Sequence, residues 1–472
     1  MIFSSTEFLL IFLPLFLVLY SLAPRKMKNV ILLSGSLVFY AYGEPKSLLI
    51  LMLSVLVNYF FGLHLGRGAM RKEGREGDKY NSKYGDKRRR QDRRRKGWLI
   101  AAVTYNVAVL VGFKYGIWGE GLPLGMSFYT FQMLSYLIDV YGGKYEREIS
   151  FLHLATYVTM FPQLLSGPLT GYDEQRGSLY SREYGRENVE EGLKVFTLGL
   201  AEKVLLADRV GLLWNEVQVT GVESVSMPLA WMAAIAYSMR IYFDFNGYSL
   251  MAIGLGRMLG FQLPENFRDP YMATSVRDFY RRWHITLGRW FGKYVYIPLG
   301  GNRKGMLRTV RNLMAVWFLT AVWHGSTANF LIWGGMLCAA IVLERLAEAS
   351  GLAKYGKTGV GRLFSHFYVW ILITVSWVCF AATDIEGLQV YLGRMFGVVP
   401  AAANSAVDWK NAFENYGLLL AAGAFACTPW LGKLFQKCKD GIPGMAVLAA
   451  LFWLCVWMLQ REGQNPFLYL GF

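Results

Sequence analysis

The chain has few cysteines and few charged residues for its length. Only five cysteines occur among 472 residues, four of them in apolar runs, and none forms a CxxC pair or a Cys/His cluster. This spacing predicts buried free thiols and argues against a disulfide framework or a zinc site. Charged residues make up 17% of the chain, against about 25% in an average soluble domain. The low charge content argues against an ordinary soluble protein.

Motifs of several common enzyme classes are missing as well. The sequence contains no GxSxG nucleophile elbow, no P-loop and no paired-carboxylate signature. A run of spaced glycines, GLGRMLG at 254–260, follows no predicted Rossmann strand, so we interpret it as close helix packing. We expect no metal ion and no bound cofactor.

Long apolar runs dominate what is present. Hydrophobic residues make up 54% of the chain. The runs 8–22, 47–65 and 443–459 approach the length of about 20 residues that crosses a bilayer as a helix. Further apolar segments are shorter or contain ionisable residues, which are costly at membrane depth unless they face a cavity. We therefore predict an all-α polytopic membrane protein. Roughly ten to twelve membrane segments, some broken or re-entrant, are expected to surround a central funnel or tunnel.

Positive charge is concentrated in two regions. Residues 67–97 contain 14 Lys/Arg and five Asp/Glu, a net charge of +9, and residues 268–311 contain ten and two, a net charge of +8. Cytoplasmic segments of membrane proteins are enriched in Lys and Arg, so we place both regions in the cytoplasm and expect no nucleic acid partner. Alternation of the first spans then places the N-terminus outside. We interpret 67–97 as a basic cytoplasmic loop within a single membrane-embedded domain that covers 1–472.

The segment 275–297 is amphipathic. At the helical angle of about 100° per residue, aromatic and aliphatic side chains fall on one arc and Arg or Lys on the rest. This pattern predicts an interfacial helix near 275–297, with His284 at the border between its two faces. One interpretation is a helix that only lies on the cytoplasmic leaflet. The other is a basic face beside a cytosolic cavity, suited to an anionic donor such as a nucleotide-bearing thioester.

A second histidine, His324, lies in AVWHGSTANFLIWG (321–334) between two apolar runs that are too short to span a membrane. The intervening HGSTAN predicts a break or sharp bend, and Ser326 or Thr327 is suited to cap the helix that follows. A positive helix end would keep His324 neutral as a proton acceptor, and free backbone N–H groups there would stabilise an oxyanion. The alternative is a histidine at the headgroup interface, or one satisfied within the bundle.

Several long stretches, in order through most of the chain, resemble the membrane-bound O-acyltransferase (MBOAT) family, and most closely its bacterial branch of alginate O-acetylation. The stretches are MIFSSTEFLLIFLPLFLVLY (1–20), GMSFYTFQMLSYLIDVY (125–141), FPQLLSGPL (161–169), YFDFNGYSLMAIGLGRMLGFQLPENF (242–267), RDFYRRWHITLGRWFGKYVYIPLGGNRKG (277–305) and AVWHGSTANFLIWG.

This resemblance implies a helical membrane enzyme that takes an acyl group from a cytosolic thioester and passes it to a hydroxyl at or beyond the membrane. It implies His324 as the principal catalytic residue and His284 as the second. Substrate- or donor-binding roles are expected for Arg281, Arg282, Asp244, Asn246, Trp323 and Asn329.

The resemblance also implies substrates and partners. We expect acetyl-CoA, or the thioester of an acyl carrier, as donor and an exported cell-surface polysaccharide as acceptor, reached directly or through an extracytoplasmic acetyltransferase partner. The protein is then expected in the cytoplasmic membrane of a bacterium, in contact with membrane lipid. Two alternatives remain open: D-alanyl transfer to teichoic acid within the same family, and a transporter or flippase for an anionic glycan or lipid.

Overall fold

A computed structural model describes residues 1–66, 82–119, 121–351, 356, 358–400, 407–463 and 465–468. The chain divides into two compact units, one formed by Met1–Gly192 with Leu255–Pro264 and the other by Leu193–Gly254 with Glu265–Phe472. The described residues contain α-, 3-10 and π-helices and no β-strand, which confirms the predicted all-α class.

The first unit contains eight complete α-helices in its described part. They are α1 (Leu13–Leu22), α2 (Lys28–Gly43), α3 (Leu48–Leu65), α4 (Ser82–Lys114), α5 (Met126–Tyr141), α6 (Phe151–Thr159), α7 (Phe161–Leu164) and α8 (Tyr172–Tyr180). A π-helix, Phe8–Phe12, leads into α1. The chain continues through α9 (Arg186–Ala201), which begins in the first unit and ends in the second.

The second unit carries the remaining helices. They are α10 (Asp208–Thr220), α11 (Met227–Met258, of which the last residues belong to the first unit), α12 (Val276–Arg282), α13 (Ile285–Phe291), α14 (Met306–His324), α15 (Ala328–Ala349), α16 (Gly359–Ala381), α17 (Ile385–Met395), α18 (Asp408–Ala426), α19 (Pro429–Cys438) and α20 (Ile442–Glu462). Two π-helices, Glu202–Ala207 and Gly292–Tyr296, follow α9 and α13.

Five of the described helical segments are long and apolar enough to cross a membrane by length and composition. They are Pro45–Leu65, Arg89–Lys114, Ala328–Ala349, Gly359–Ala381 and Ile442–Glu462. A sixth span is possible if α18 and α19, which are bent by 75° at a short break, count as one. This is the architecture of a multi-pass membrane protein. The count of ten to twelve segments stays a prediction, because the other helices are shorter or more polar.

The second half of the segment interpreted as a basic loop is helical. Helix α4 begins at Ser82, so residues 82–97 continue directly into the apolar span that follows, while residues 67–81 lie outside the described part. Lys, Arg and Gln are good helix formers, and no proline interrupts the run. Arg95 also donates to the carbonyl oxygens of Leu65 and Tyr141, each at 2.8 Å, at the C-terminal ends of α3 and α5. Cations stabilise such negative helix ends.

The predicted continuous amphipathic helix near 275–297 is instead two short helices, α12 and α13, joined at Trp283 and His284. The apolar arc packs into the protein, since Val276, Phe279 and Trp283 are buried in the core of the second unit. The Trp283 ring lies 4.7 Å from that of Trp377 on α16. The interruption is backbone geometry, because His284 has a φ of 45°, which no α-helix accommodates.

Candidate functional site

His324 is the last residue of α14, and the following break separates it from α15. The chain is extended at Gly325, and the N–H of Phe330 donates to the carbonyl of Thr327 at 3.2 Å. The predicted break is therefore present, with Thr327 at the N-cap position. Its side chain makes no capping hydrogen bond, however. His324 thus lies between the negative C-terminal end of α14 and the positive N-terminal end of α15, so the neutralising effect of the positive end stays a prediction.

Aromatic rings surround the His324 imidazole. Its centroid lies 4.6 Å from the ring of Trp323, 5.0 Å from Trp333 and 5.1 Å from Phe380, and the side chain is buried. The three neighbours come from the end of α14, from α15 and from α16. This packing holds the imidazole in one place in an apolar surrounding, as a reacting group requires.

A close approach of α14 and α15 makes this packing possible. A Cβ atom added to Gly334 would lie 2.9 Å from the Cβ of Ala321 and 3.1 Å from the carbonyl oxygen of Trp317. Only glycine fits at this crossing. The consequence is that Trp333, the residue before it, reaches the His324 ring.

His284 is held between α12 and α13 by a strained backbone. It is one of two non-glycine residues in the described chain with positive φ, and such positions persist only where surrounding contacts stabilise them. Those contacts include hydrogen bonds from the N–H of Ile285 to the carbonyl of Asn266 at 2.9 Å and from the N–H of Gly288 to the carbonyl of His284 at 3.0 Å. The side chain is buried, with its ring 4.7 Å from that of Phe245.

The ionisation of His284 follows from this burial. Loss of hydration lowers the pKa of His284 to about 3, so the imidazole is neutral at pH 7. One of its ring nitrogens, Nδ1, lies 3.1 Å from Oδ1 of Asn266.

Both histidines line one cavity in the second unit. Its volume is about 260 Å³, and its wall is formed by α12, α13 and the π-helix after it, together with α14 and α15. The lining residues on α14 run from Leu313 to His324, which is about 16 Å at 1.5 Å per residue. The cavity is therefore elongated along this helix.

Positive charge lies at the end of the cavity away from His324. Arg345 lines it 12 residues after Trp333 on α15, about 18 Å along the helix axis. Arg281 and Arg277 also contribute to the lining. Arg277 is already paired, because it donates to both carboxylate oxygens of Glu348.

Arg281 and Arg282, which are adjacent in the sequence and were both predicted to bind the donor, have different surroundings. Arg281 is exposed and lines the cavity. Arg282 donates from Nε to the carboxylate of Asp278 at 3.0 Å, one helical turn earlier, and is not among the described lining residues. A nearby carboxylate in turn orders the start of α12: Glu344 accepts from the N–H groups of Val276 at 2.5 Å and Arg277 at 3.1 Å.

Asp244 and Asn246 lie in a separate buried cluster of the second unit rather than in the described lining of this cavity. Lys203 donates to Asp244 at 2.6 Å and to Asp208 at 2.8 Å, and Asn246 donates to Glu202 at 2.7 Å. The second carboxylate oxygen of Asp244 accepts from the N–H of Leu468 at 2.8 Å. The cluster thus links α11 to the segment after α20.

The other two predicted residues support the site from outside the described lining. The Trp323 ring packs edge-on against the His324 imidazole. Asn329 donates to the carbonyl oxygens of Cys379 at 3.2 Å and Ala382 at 2.7 Å, which fastens the start of α15 to the end of α16. Asn329 therefore fixes the geometry of the break after His324.

Three residues of the site were missed by the sequence reasoning: Trp333, Arg345 and Asn266. Trp333 lies inside the 321–334 stretch, nine residues after His324, and this closeness in the sequence could have indicated its contact with the His324 ring. Arg345 is a single basic residue late in an apolar helix, and such a residue is costly in a membrane unless it faces a cavity. Asn266 lies inside the quoted 242–267 stretch, but its contact with His284, 18 residues later, has no local pattern that would predict it.

The described residues contain no group of three His, Cys, Asp or Glu side chains placed to hold a metal ion. All five cysteines are free, and four of them are buried. The described lining of the cavity supplies two imidazoles, three guanidinium groups and aromatic walls.

Comparison with known proteins adds to this geometry. A sequence profile of the membrane-bound O-acyltransferase family, MBOAT, matches residues 144–350. A probable alginate O-acetylase of Pseudomonas putida is 31% identical over the whole of both chains. A peptidoglycan O-acetyltransferase of Helicobacter pylori is 31% identical over 84% of this chain and 80% of its own length. A teichoic acid D-alanyltransferase of Bacillus subtilis is 27% identical over 58% of this chain and 69% of its own length.

Proposed function

Because the chain belongs to the membrane-bound O-acyltransferase family and is a multi-pass membrane acyltransferase, we propose that it moves an acetyl group from a cytosolic thioester to hydroxyls of an exported cell-surface polysaccharide. Family membership decides between the transferase and the transporter in favour of the transferase. It leaves the donor, the acceptor and the residue roles to be argued from the site.

The elongated cavity is the observation that carries this proposal. It has guanidinium groups at one end and the buried His324 imidazole at the other. A phosphate-bearing thioester has the complementary form, with anionic phosphates at one end of a long arm and the reactive carbonyl at the other. Guanidinium groups bind phosphate through charge-assisted hydrogen bonds. Arg345 and Arg281 are the proposed phosphate ligands.

His324 is the proposed general base. It accepts the proton of the acceptor hydroxyl as that oxygen attacks the thioester carbonyl carbon. The tetrahedral oxyanion then collapses, the C–S bond breaks, and the leaving thiolate takes up the proton from the imidazolium. General-base catalysis of this kind contributes about 10²–10⁴-fold. His284, neutral at pH 7, orients the donor on the cytosolic side.

Acetyl transfer is preferred to D-alanyl transfer because of the extent of the similarity. The two O-acetylating relatives named above match over 100% and 84% of this chain, and the D-alanyltransferase over 58%. These relatives are named for alginate, peptidoglycan and teichoic acid, which supports a cell-surface polymer as acceptor. An extracytoplasmic acetyltransferase partner, a place in the bacterial cytoplasmic membrane and an external N-terminus complete the proposal.

The deciding experiment is His324→Ala in cells, with three measurements on each strain: surface O-acetyl groups, exported polymer and the level of the protein in membranes. We expect acetylation to be lost while export and protein level stay normal. The matched control is His64→Ala. His64 lies in the first unit, and its Nδ1 donates to the carbonyl oxygen of Phe60, one turn earlier on α3, at 2.9 Å. Unchanged acetylation in His324→Ala at normal protein level would refute the role of His324.

The acyl group and donor are tested in isolated membranes. Labelled acetyl-CoA and a labelled D-alanyl carrier protein are offered separately. We expect label from acetyl-CoA to reach polysaccharide or a partner protein. Transfer of D-alanine alone would replace the acetyl proposal by the D-alanyl alternative, and acetyl transfer from a carrier protein alone would exclude CoA as donor.

A further inference from the structure

The hydrogen bonds around Asn266 determine which way its amide group faces. Its Oδ1 lies 3.3 Å from the backbone nitrogen of Thr286 and 2.9 Å from the Thr286 hydroxyl. A backbone N–H can only donate, so the atom facing it must be the acceptor oxygen. On the opposite side, Nδ2 donates to the hydroxyl of Ser249 at 3.1 Å. The amide orientation is thus fixed by a partner whose role is unambiguous.

This orientation has a consequence for His284. Nδ1 of His284 lies 3.1 Å from the same Oδ1. An acceptor oxygen requires a donor opposite it, so Nδ1 carries the proton, and in the neutral imidazole Nε2 carries a lone pair. The backbone carbonyl oxygen of Asn266 also accepts from the backbone N–H of Ile285, the residue after the histidine. Asn266 therefore holds both the ring and the backbone of His284.

We propose that Asn266 is a positioning residue of the acyl transfer, which keeps His284 in the Nδ1–H tautomer so that Nε2 accepts a hydrogen bond from an N–H or O–H group of the donor or acceptor. The proposal rests on the proposed function for its catalytic meaning, since His284 lines the cavity assigned to the donor. The tautomer itself follows from the contacts alone. Asn266 acts only through His284.

The basic residues of the cavity lining are the same in all the variants that test this proposal. Arg277, Arg281 and Arg345 line it together with His324, and each of them is retained. In Asn266→Ala the acceptor is removed. In Asn266→Asp a carboxylate accepts the same hydrogen bonds and adds a negative charge, which favours the imidazolium and raises the pKa of His284.

The first measurement is the ¹⁵N spectrum of histidine-labelled protein, which contains five histidines, with the His284 signal assigned by its loss in His284→Gln. We expect the Nδ1–H tautomer in the wild type, in Asn266→Asp and in the control Ser249→Ala, which leaves the Asn266–His284 contact in place. Asn266→Ala should show a mixture or the Nε2–H form. An Nε2–H tautomer in the wild type, or the wild-type tautomer in Asn266→Ala, would overturn the proposal.

The second measurement is acyl transfer against pH. Misplacing a reacting group lowers the rate about 10²-fold, and we expect a loss of this size in the rate of acyl transfer by Asn266→Ala. Asn266→Asp should retain more activity at high pH than Asn266→Ala, and its activity should begin to fall at a higher pH than that of the wild type as the medium is acidified. Equal losses in both variants at every pH would contradict a positioning role. Should Asn266→Ala fail to fold, Asn266→Asp and the wild-type spectrum still decide.

The two proposals fail in distinguishable ways. A wild-type protein that transfers no acyl group from any thioester refutes the proposed function and leaves the spectrum to decide the tautomer. If the wild type is active but the tautomer of His284 is unchanged in Asn266→Ala, only the positioning role is refuted.

Discussion

Removing Arg345 tests whether the basic end of the cavity binds the phosphates of the donor. In Arg345→Gln a half-buried guanidinium that lines the cavity is replaced by a neutral amide of similar reach. A hydrogen bond to a charged group contributes about 1.5–3 kcal/mol. Since about 1.4 kcal/mol corresponds to a factor of ten, KM for acetyl-CoA should rise by about 10- to 100-fold. Arg281 is exposed, where an ionic contact contributes about 0–1 kcal/mol, so Arg281→Gln should raise KM by about fivefold or less.

The assay compares acetyl-CoA with a short neutral acetyl thioester that lacks phosphates. For acetyl-CoA, kcat should change little, because the contact is made equally in the ground and transition states. With the neutral thioester, Arg345→Gln and wild type should give the same kcat/KM. Arg282→Gln is the matched control, because Arg282 pairs with Asp278 outside the described lining. Equal losses with both donors would refute phosphate binding by Arg345 and indicate a structural role.

Three further predictions concern stability. Lys203→Met leaves Asp208 and Asp244 buried without their cation, which should cost about 3–5 kcal/mol; an unchanged thermal midpoint in detergent would contradict the shared ion pairs. Gly334→Val overpacks the crossing of α14 and α15, which should lower the stability by about 1–3 kcal/mol and reduce acyl transfer. In the control Gly335→Ala the added Cβ meets nothing within 4 Å, so stability and acyl transfer should both stay unchanged. For His284, the pKa is near 6.5 unfolded and lowered to about 3 by burial. The unfolded chain therefore binds the proton first, and about 2 kcal/mol of stability should be lost between pH 8 and pH 5. His284→Gln should lack this pH-dependent loss, and parallel curves for both proteins would contradict the buried neutral imidazole.

The break at His324 was predictable because it is a local property. The polar, glycine-containing HGSTAN between two apolar runs predicts a break, and α14 ends there. The second run was wrongly judged too short to span, because it continues through α15, which is long and apolar enough to cross a membrane. The position of Thr327 before α15 also follows from local preferences. The capping hydrogen bond is absent, because it depends on the orientation of the Thr327 side chain, which local preference does not specify.

The two basic regions show where local pattern was insufficient. Charge density suggested a loop over 67–97, yet Lys- and Arg-rich sequence is also good helix sequence, and Arg95 gains partners at two helix ends. The 100° pattern over 275–297 predicted one helix, since periodicity does not register a single residue with positive φ. The contacts that stabilise His284 in that conformation include those of Asn266, which lies outside the segment.

By itself the sequence determined the helical class, the apolar segments, the family and the two histidines, because each depends on composition or on residues adjacent in the chain. Only the tertiary structure decided that one cavity joins His284 to His324, that Arg345 replaces Arg282 at its basic end, and that Asp244 and Asn246 belong to another cluster. Those outcomes depend on which side chains from distant segments pack together. At Gly334 a single missing Cβ decides that packing, since it lets α14 and α15 approach closely enough for Trp333 to reach the His324 ring.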